Sequence, residues 1–264
     1  MSVPMLRRAL KDLRWTTTWY AIGIAGYVLV LIALYPSIEK MYSDVLKNYP
    51  KDLLKVLGTR DVSTTLAGYL GTEMLNIIWP VIVALFLIMA GSAVVAREIE
   101  SGTVELWLSV PASRVRLLAA KLTALLIGSL ALVVTTVVAI ALGAWLINHP
   151  IAAGSVLPLS LTLLSLCLVI AGYSALFSAM FSSRARAAGA ATGLTVVFYL
   201  AWVVSALSEA WSWLRNISIF TAFGPQQALE NGTVSIVGTI VLLALAAVCA
   251  GASLVIFQRR EAVA

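Results

Sequence analysis

Charge is what this sequence has least of. Asp, Glu, Lys and Arg make up 11% of its 264 residues, 61% are hydrophobic, and the mean hydropathy is +0.98. A soluble domain carries roughly 25% charged residues, so this chain cannot cover an aqueous surface of its size and needs lipid as a solvent. Histidine is nearly absent: the lone His149 excludes a multi-histidine metal or haem centre built from this chain alone. The two cysteines, Cys167 and Cys249, fall inside apolar runs and read as small buried hydrophobes, with no disulfide or metal pair expected. No G-x-x-x-x-G-K-[ST] loop occurs, which excludes a P-loop nucleotide site. No acid or base interrupts the middle of an apolar run, as the relays of ion-coupled carriers require, and no glycine-rich filter sequence points to a channel. The net charge of +6 comes without the aromatic-basic interleaving of a single-strand binder, so no nucleic-acid partner is expected.

What is present is a set of apolar runs of about 20 residues, the length that crosses a bilayer core. The expected architecture is an all-α integral membrane protein forming one transmembrane domain, with spans at residues 15–35, 74–96, 117–147, 157–181, 189–207 and 236–257. Residues 1–14 carry Arg7, Arg8, Lys11 and Arg14 beside Leu6, Leu10 and Leu13 at helical spacing, the pattern of an amphipathic interfacial helix. The first apolar run is too long for a signal peptide core and no A-x-A site follows it. Residues 37–73 form a long polar segment, and 208–234 are amphipathic but too broken by Gly224 and Pro225 to span, predicting an outer re-entrant hairpin. Six spans place both termini on one side. Arg7, Arg8, Lys11, Arg14, Arg97, Arg114, Arg116, Lys121, Arg184, Arg186, Arg259 and Arg260 share that side, leaving only six of the 18 basic residues on the other. That bias predicts cytoplasmic termini.

The most informative stretch is residues 97–116, between the second and third spans. Glu98 and Glu100 open it and Ser101-Gly102-Thr103 follows. Val104, Leu106 and Leu108 alternate with Glu105, Trp107 and Ser109, and Pro111 then separates this piece from Ser113, Arg114, Arg116 and Lys121. Acid early and base late suit a helix macrodipole. Proline can end one helix and start the next. Mixed charge on a short amphipathic helix fits a protein partner better than a purely anionic lipid surface.

The run Glu98, Glu100-Ser101-Gly102-Thr103-Val104-Glu105-Leu106-Trp107-Leu108-Ser109-Val110-Pro111, Ser113-Arg114 and Lys121 resembles the E-x-x-x-G-T-x-E-x-L-L-S-x-P-x-S-R…K segment of ABC-2 type transporter permeases, the membrane subunits of ABC exporters. Trp107 stands where leucine is commoner. The resemblance implies that residues 98–107 contain a coupling helix that docks on a separate ABC ATPase subunit, flanked by Arg7, Arg8, Lys11 and Arg14 of the lead-in. It implies a non-catalytic chain without a cofactor of its own, ATP and Mg being held by the partner. It also implies a second permease copy, identical or related, in a prokaryotic cell (inner) membrane. The expected activity is outward movement of an amphipathic or hydrophobic substrate. The alternatives are an ion-coupled secondary carrier or channel without an ATPase partner, and a membrane scaffold.

Overall fold

The computed structural model describes residues 3–48, 65–100 and 114–259. Among the described residues there is no strand, and six helices are long and apolar enough to cross a membrane: Pro4–Ser37, Leu66–Ser92, Val115–Leu146, Ala153–Met180, Arg184–Leu207 and Ile236–Arg259.

Helix α1 runs Val3–Asn48 without interruption, through Pro36, so the basic lead-in, the first span and the start of the outer polar segment are one rod. Charge marks where the solvent changes along it, and nothing in residues 3–14 breaks the backbone. Helix α2, Leu66–Ser92, starts well before residue 74, because Thr65 caps the apolar turn Leu66–Leu70: its Oγ1 accepts from Gly68 N at 3.2 Å. Glu73, which the sequence places in the outer segment, therefore lies within this apolar helix near its end.

Inside α2, Gly71–Ile78 is wound as a π-helix, and Trp79 N reaches Met74 O. Pro80 explains the location. It has no N–H, and its ring collides with the carbonyl four residues back, so the turn before it widens. Trp79 then enters the core 1% exposed, its Nε1 donating to Thr136 Oγ1 at 2.9 Å while its ring stacks on Phe223. Trp79 is thus a core residue, in contrast to the interface anchor its position near a span end suggests. Trp15, Trp19 and Trp145, at 62%, 66% and 69% exposed, do lie on the outside.

The remaining elements are a short α3, Ala96–Glu100; α4, Arg114–Leu146; α5, Val156–Met180; α6, Arg184–Leu207; α7, Ile219–Ala222; α8, Pro225–Asn231; and α9, Ile236–Arg259. Helix α5 is the central post, packed against α9, α2, α4, α6 and α8. Its Leu163, Leu166, Cys167, Val169, Ile170 and Ala175 are completely buried. Small residues let the neighbours close on it. A Cβ on Gly91 of α2 would stand 2.6 Å from Ser174 Cβ, and one on Gly172 would meet Ala246 O of α9 at 3.1 Å. Helices α1 and α6 are peripheral, with 17% of their apolar windows buried against 61% for α2. Between α6 and α9 the chain makes a 3-10 turn, Glu209–Asn216, and then α7 and α8, whose Ile219, Phe220, Ala228 and Leu229 join the main core.

Candidate functional site

One end of the bundle gathers the start of α1, the end of α2, α3, the start of α4, the end of α5, the start of α6 and the end of α9. It has an apolar cluster of its own, in which Val94, Val95, Leu118, Leu125, Ala179 and Phe257 pack together with Leu13 and Ile99 against them. This is the basic end of the molecule and the end from which residues 101–113 depart.

Helix α2 stops at Ser92, and the chain turns at Ala93–Val95 before α3 begins. Such a turn strands main-chain groups that a continuous helix would satisfy internally, and buried in an apolar bundle they need partners. A single side chain supplies most of them. Ser178 Oγ, completely buried on α5, accepts from Val95 N at 2.9 Å and Ala96 N at 3.0 Å, and donates to Ser92 O at 2.7 Å. One donor and two lone pairs are all that a hydroxyl has, so its capacity is fully used. From α4, Lys121 Nζ donates to Val94 O at 2.7 Å and to the Glu98 carboxylate. The two charged side chains are 20% and 18% exposed, so the pair is far less open to screening than a surface ion pair.

Glu100 closes the set. Its Oε2 accepts from Arg184 N at 3.2 Å, at the first turn of α6, where Ser183 makes no side-chain cap. A carboxylate at a helix N-terminus satisfies a stranded N–H and complements the macrodipole. The Arg184 guanidinium reaches back to Met89 O at 3.3 Å. The five-residue helix α3 is therefore tied to α4 through Glu98, to α5 through Ser178 and to α6 through Glu100.

Of the residues singled out from sequence, Glu98 and Lys121 meet directly, and Glu100 meets α6. Arg114 opens α4. Arg7, Arg8, Lys11 and Arg14 are exposed along α1, with the Arg14 guanidinium 5.6 Å from the Trp15 ring. Ser101, Gly102, Thr103, Glu105, Leu106, Trp107, Ser109, Pro111 and Ser113 lie outside the described residues, and with them the greater part of the expected coupling helix. Sequence reading missed Ser178 and Arg184. A serine within an apolar run reads as a small packing residue and an arginine in a short loop as a topology signal. The one available hint was that Ser174 and Ser178 share a helical face with the end of a span.

At the opposite end, Tyr35 packs edge-on against His149 and also meets Tyr69. Asn148 takes a positive φ of 58° there and Gly232 a left-handed φ of 62° at the end of α8, so both reversals sit at residue types suited to that region. No group of His, Cys, Asp and Glu among the described residues could hold a metal ion.

In comparisons with known proteins, no curated protein matches the chain. The family model for ABC-2 family transporter proteins matches residues 9–262, from the first apolar helix to the last, and the chain belongs to that family of transmembrane transporter components.

Proposed function

We propose that this chain is the permease subunit of an ATP-driven exporter, with its basic end in the cytoplasm of a prokaryotic cell and residues 98–107 docking on a separate ABC ATPase that holds ATP and Mg. The observation that carries this reading is the three-way tie of α3. An element that receives force from a partner must be joined stiffly to the helices it moves, because packed elements respond to a push by rotating or sliding as bodies. Ser178, Lys121 and Glu100 make that joint from the segment that leads into residues 101–113. Two permease copies, identical or related, complete the transporter. Its pathway carries an amphipathic or hydrophobic substrate, in keeping with spans whose middles bear no fixed charge.

The test is co-purification in detergent with the candidate ATPase, comparing wild type with Glu105→Lys and Gly102→Pro. Charge reversal and a helix breaker each disrupt a docked amphipathic helix, so both variants lose the ATPase while the wild type retains it. Equal retention by all three overturns the docking assignment, and a requirement for a proton or sodium gradient in place of ATP overturns the exporter reading.

A further inference from the structure

A groove of about 540 Å³ runs along the outside of the bundle between α1 and α4. Leu13, Arg14, Thr17, Ala21 and Ala25 form one wall, and Ala124, Gly128, Ala131 and Thr135 the other. Small residues at helical spacing on α4 open the trough. Its wall is apolar in effect, because the Thr17 and Thr18 hydroxyls donate within α1 to Leu13 O at 3.0 Å and Arg14 O at 2.8 Å. Among the described residues, Arg14 is the one cation lining it. The nearest base on α4, Lys121, is committed to Val94 O and Glu98.

We infer that this groove binds an anionic phospholipid, with the headgroup phosphate on Arg14 and one acyl chain lying in the trough. Three observations select this occupant. From Arg14 to Ala25 the helix climbs about 16 Å, and one leaflet of hydrocarbon is about 15 Å deep, half of a bilayer core. From Arg14 inward the groove is thus about one leaflet deep, and Leu10 lines it one turn further toward the basic end. Trp15 and Trp19, beside its charged mouth and 62% and 66% exposed, are of the type that settles at headgroup level. Charge agrees as well: Arg7, Lys11 and Arg14 follow one another at four- and three-residue steps along the same stripe, while Asp12 sits about 200° round the helix from Arg14. A second copy of the chain packed on this face about a two-fold axis would bring those like charges together at one depth, which argues for lipid over self-association.

The inference stands apart from the ATPase reading, since neither nucleotide nor partner enters it. Native mass spectrometry of the detergent-purified chain, equilibrated with equal amounts of phosphatidylglycerol and phosphatidylcholine of the same acyl chains, tests it. Wild type retains phosphatidylglycerol preferentially. Arg14→Gln lowers that retention about fivefold, the worth of one basic residue near an anionic headgroup, and lowers phosphatidylcholine less, because choline offsets its phosphate charge. Ala131→Phe and Ala21→Leu, fillers from opposite walls, each displace the bound lipid, so a folding defect in one does not decide the outcome. Arg186→Gln, which removes an exposed arginine from α6, changes nothing. Unaltered phosphatidylglycerol binding by Arg14→Gln, or by both fillers, overturns the site. Fillers that convert a dimer to monomer with lipid still bound assign the groove to a second copy instead.

Discussion

Ser178 shows how much one buried hydroxyl can hold. Ser178→Ala leaves the buried Val95 and Ala96 amides without their acceptor, and such groups cost about 1–3 kcal/mol each when unpaired. The expected result is a lower melting temperature in detergent and, with the docking residues untouched, ATPase that still binds but no longer drives transport at the wild-type ratio. A variant that melts lower but keeps that ratio confines Ser178 to stability. Trp79 and Thr136 offer a cleaner pair. Trp79→Phe removes one hydrogen bond, worth about 1 kcal/mol, on top of its packing loss. In a cycle with Thr136→Val the two changes are expected to be less than additive, because both delete the same contact; strict additivity would mean the bond contributes nothing.

At the level of elements, close approach decides more than propensity does. Gly91→Ala sets a methyl 2.6 Å from Ser174 Cβ, and that neighbour is a side-chain root that cannot swing aside. Pushing α2 off α5 in this way costs about 1–3 kcal/mol, read as a fall in melting temperature. Gly23→Ala, on the outer face of α1 where nothing lies within 4 Å, is the matched control and is expected to stabilise slightly or do nothing. Gly91 stands in the small-residue run Gly91-Ser92-Ala93, a mark of close helix approach that is legible in the sequence; that its neighbour is Ser174 is not. The spans themselves were legible, because a run of about 20 apolar residues has few other fates. Their ends were less so. Polarity hid the helical continuity of α1 and the early start of α2, since charge changes which solvent a helix faces without ending it. Only Pro80 left a sequence-level trace of an irregular turn, and that trace gave neither its length nor its π winding.

For the whole molecule, the family was legible in one motif and the six apolar helices in composition. The joint around α3 was not, because its Ser178 and Glu100 contacts join residues 82 to 86 positions apart, and even Lys121 reaches back 23 and 27 positions, so their meeting depends on how α2, α4, α5 and α6 pack. The proposed sidedness can be checked directly. Cys167 and Cys249 are 0% and 8% exposed, so they offer little background to a membrane-impermeant maleimide. His149→Cys is expected to label from outside intact cells, and Arg186→Cys only after the membrane is opened; the reverse pattern inverts the topology.

The π-helical stretch of α2 has a consequence for how this helix can change over time. A π turn spends more residues on each revolution than an α turn does. Deleting one residue from 71–78 lets the backbone revert toward α geometry by removing the residue that the wider winding absorbs, so the start of the helix keeps nearly its present facing. Leu66, Tyr69 and Leu70, all buried, would stay on the side that faces the core. Residues 79–92 and the joint below them would keep their register. The helix thus carries one residue of slack, and a deletion that would rotate a whole face elsewhere along it is absorbed here.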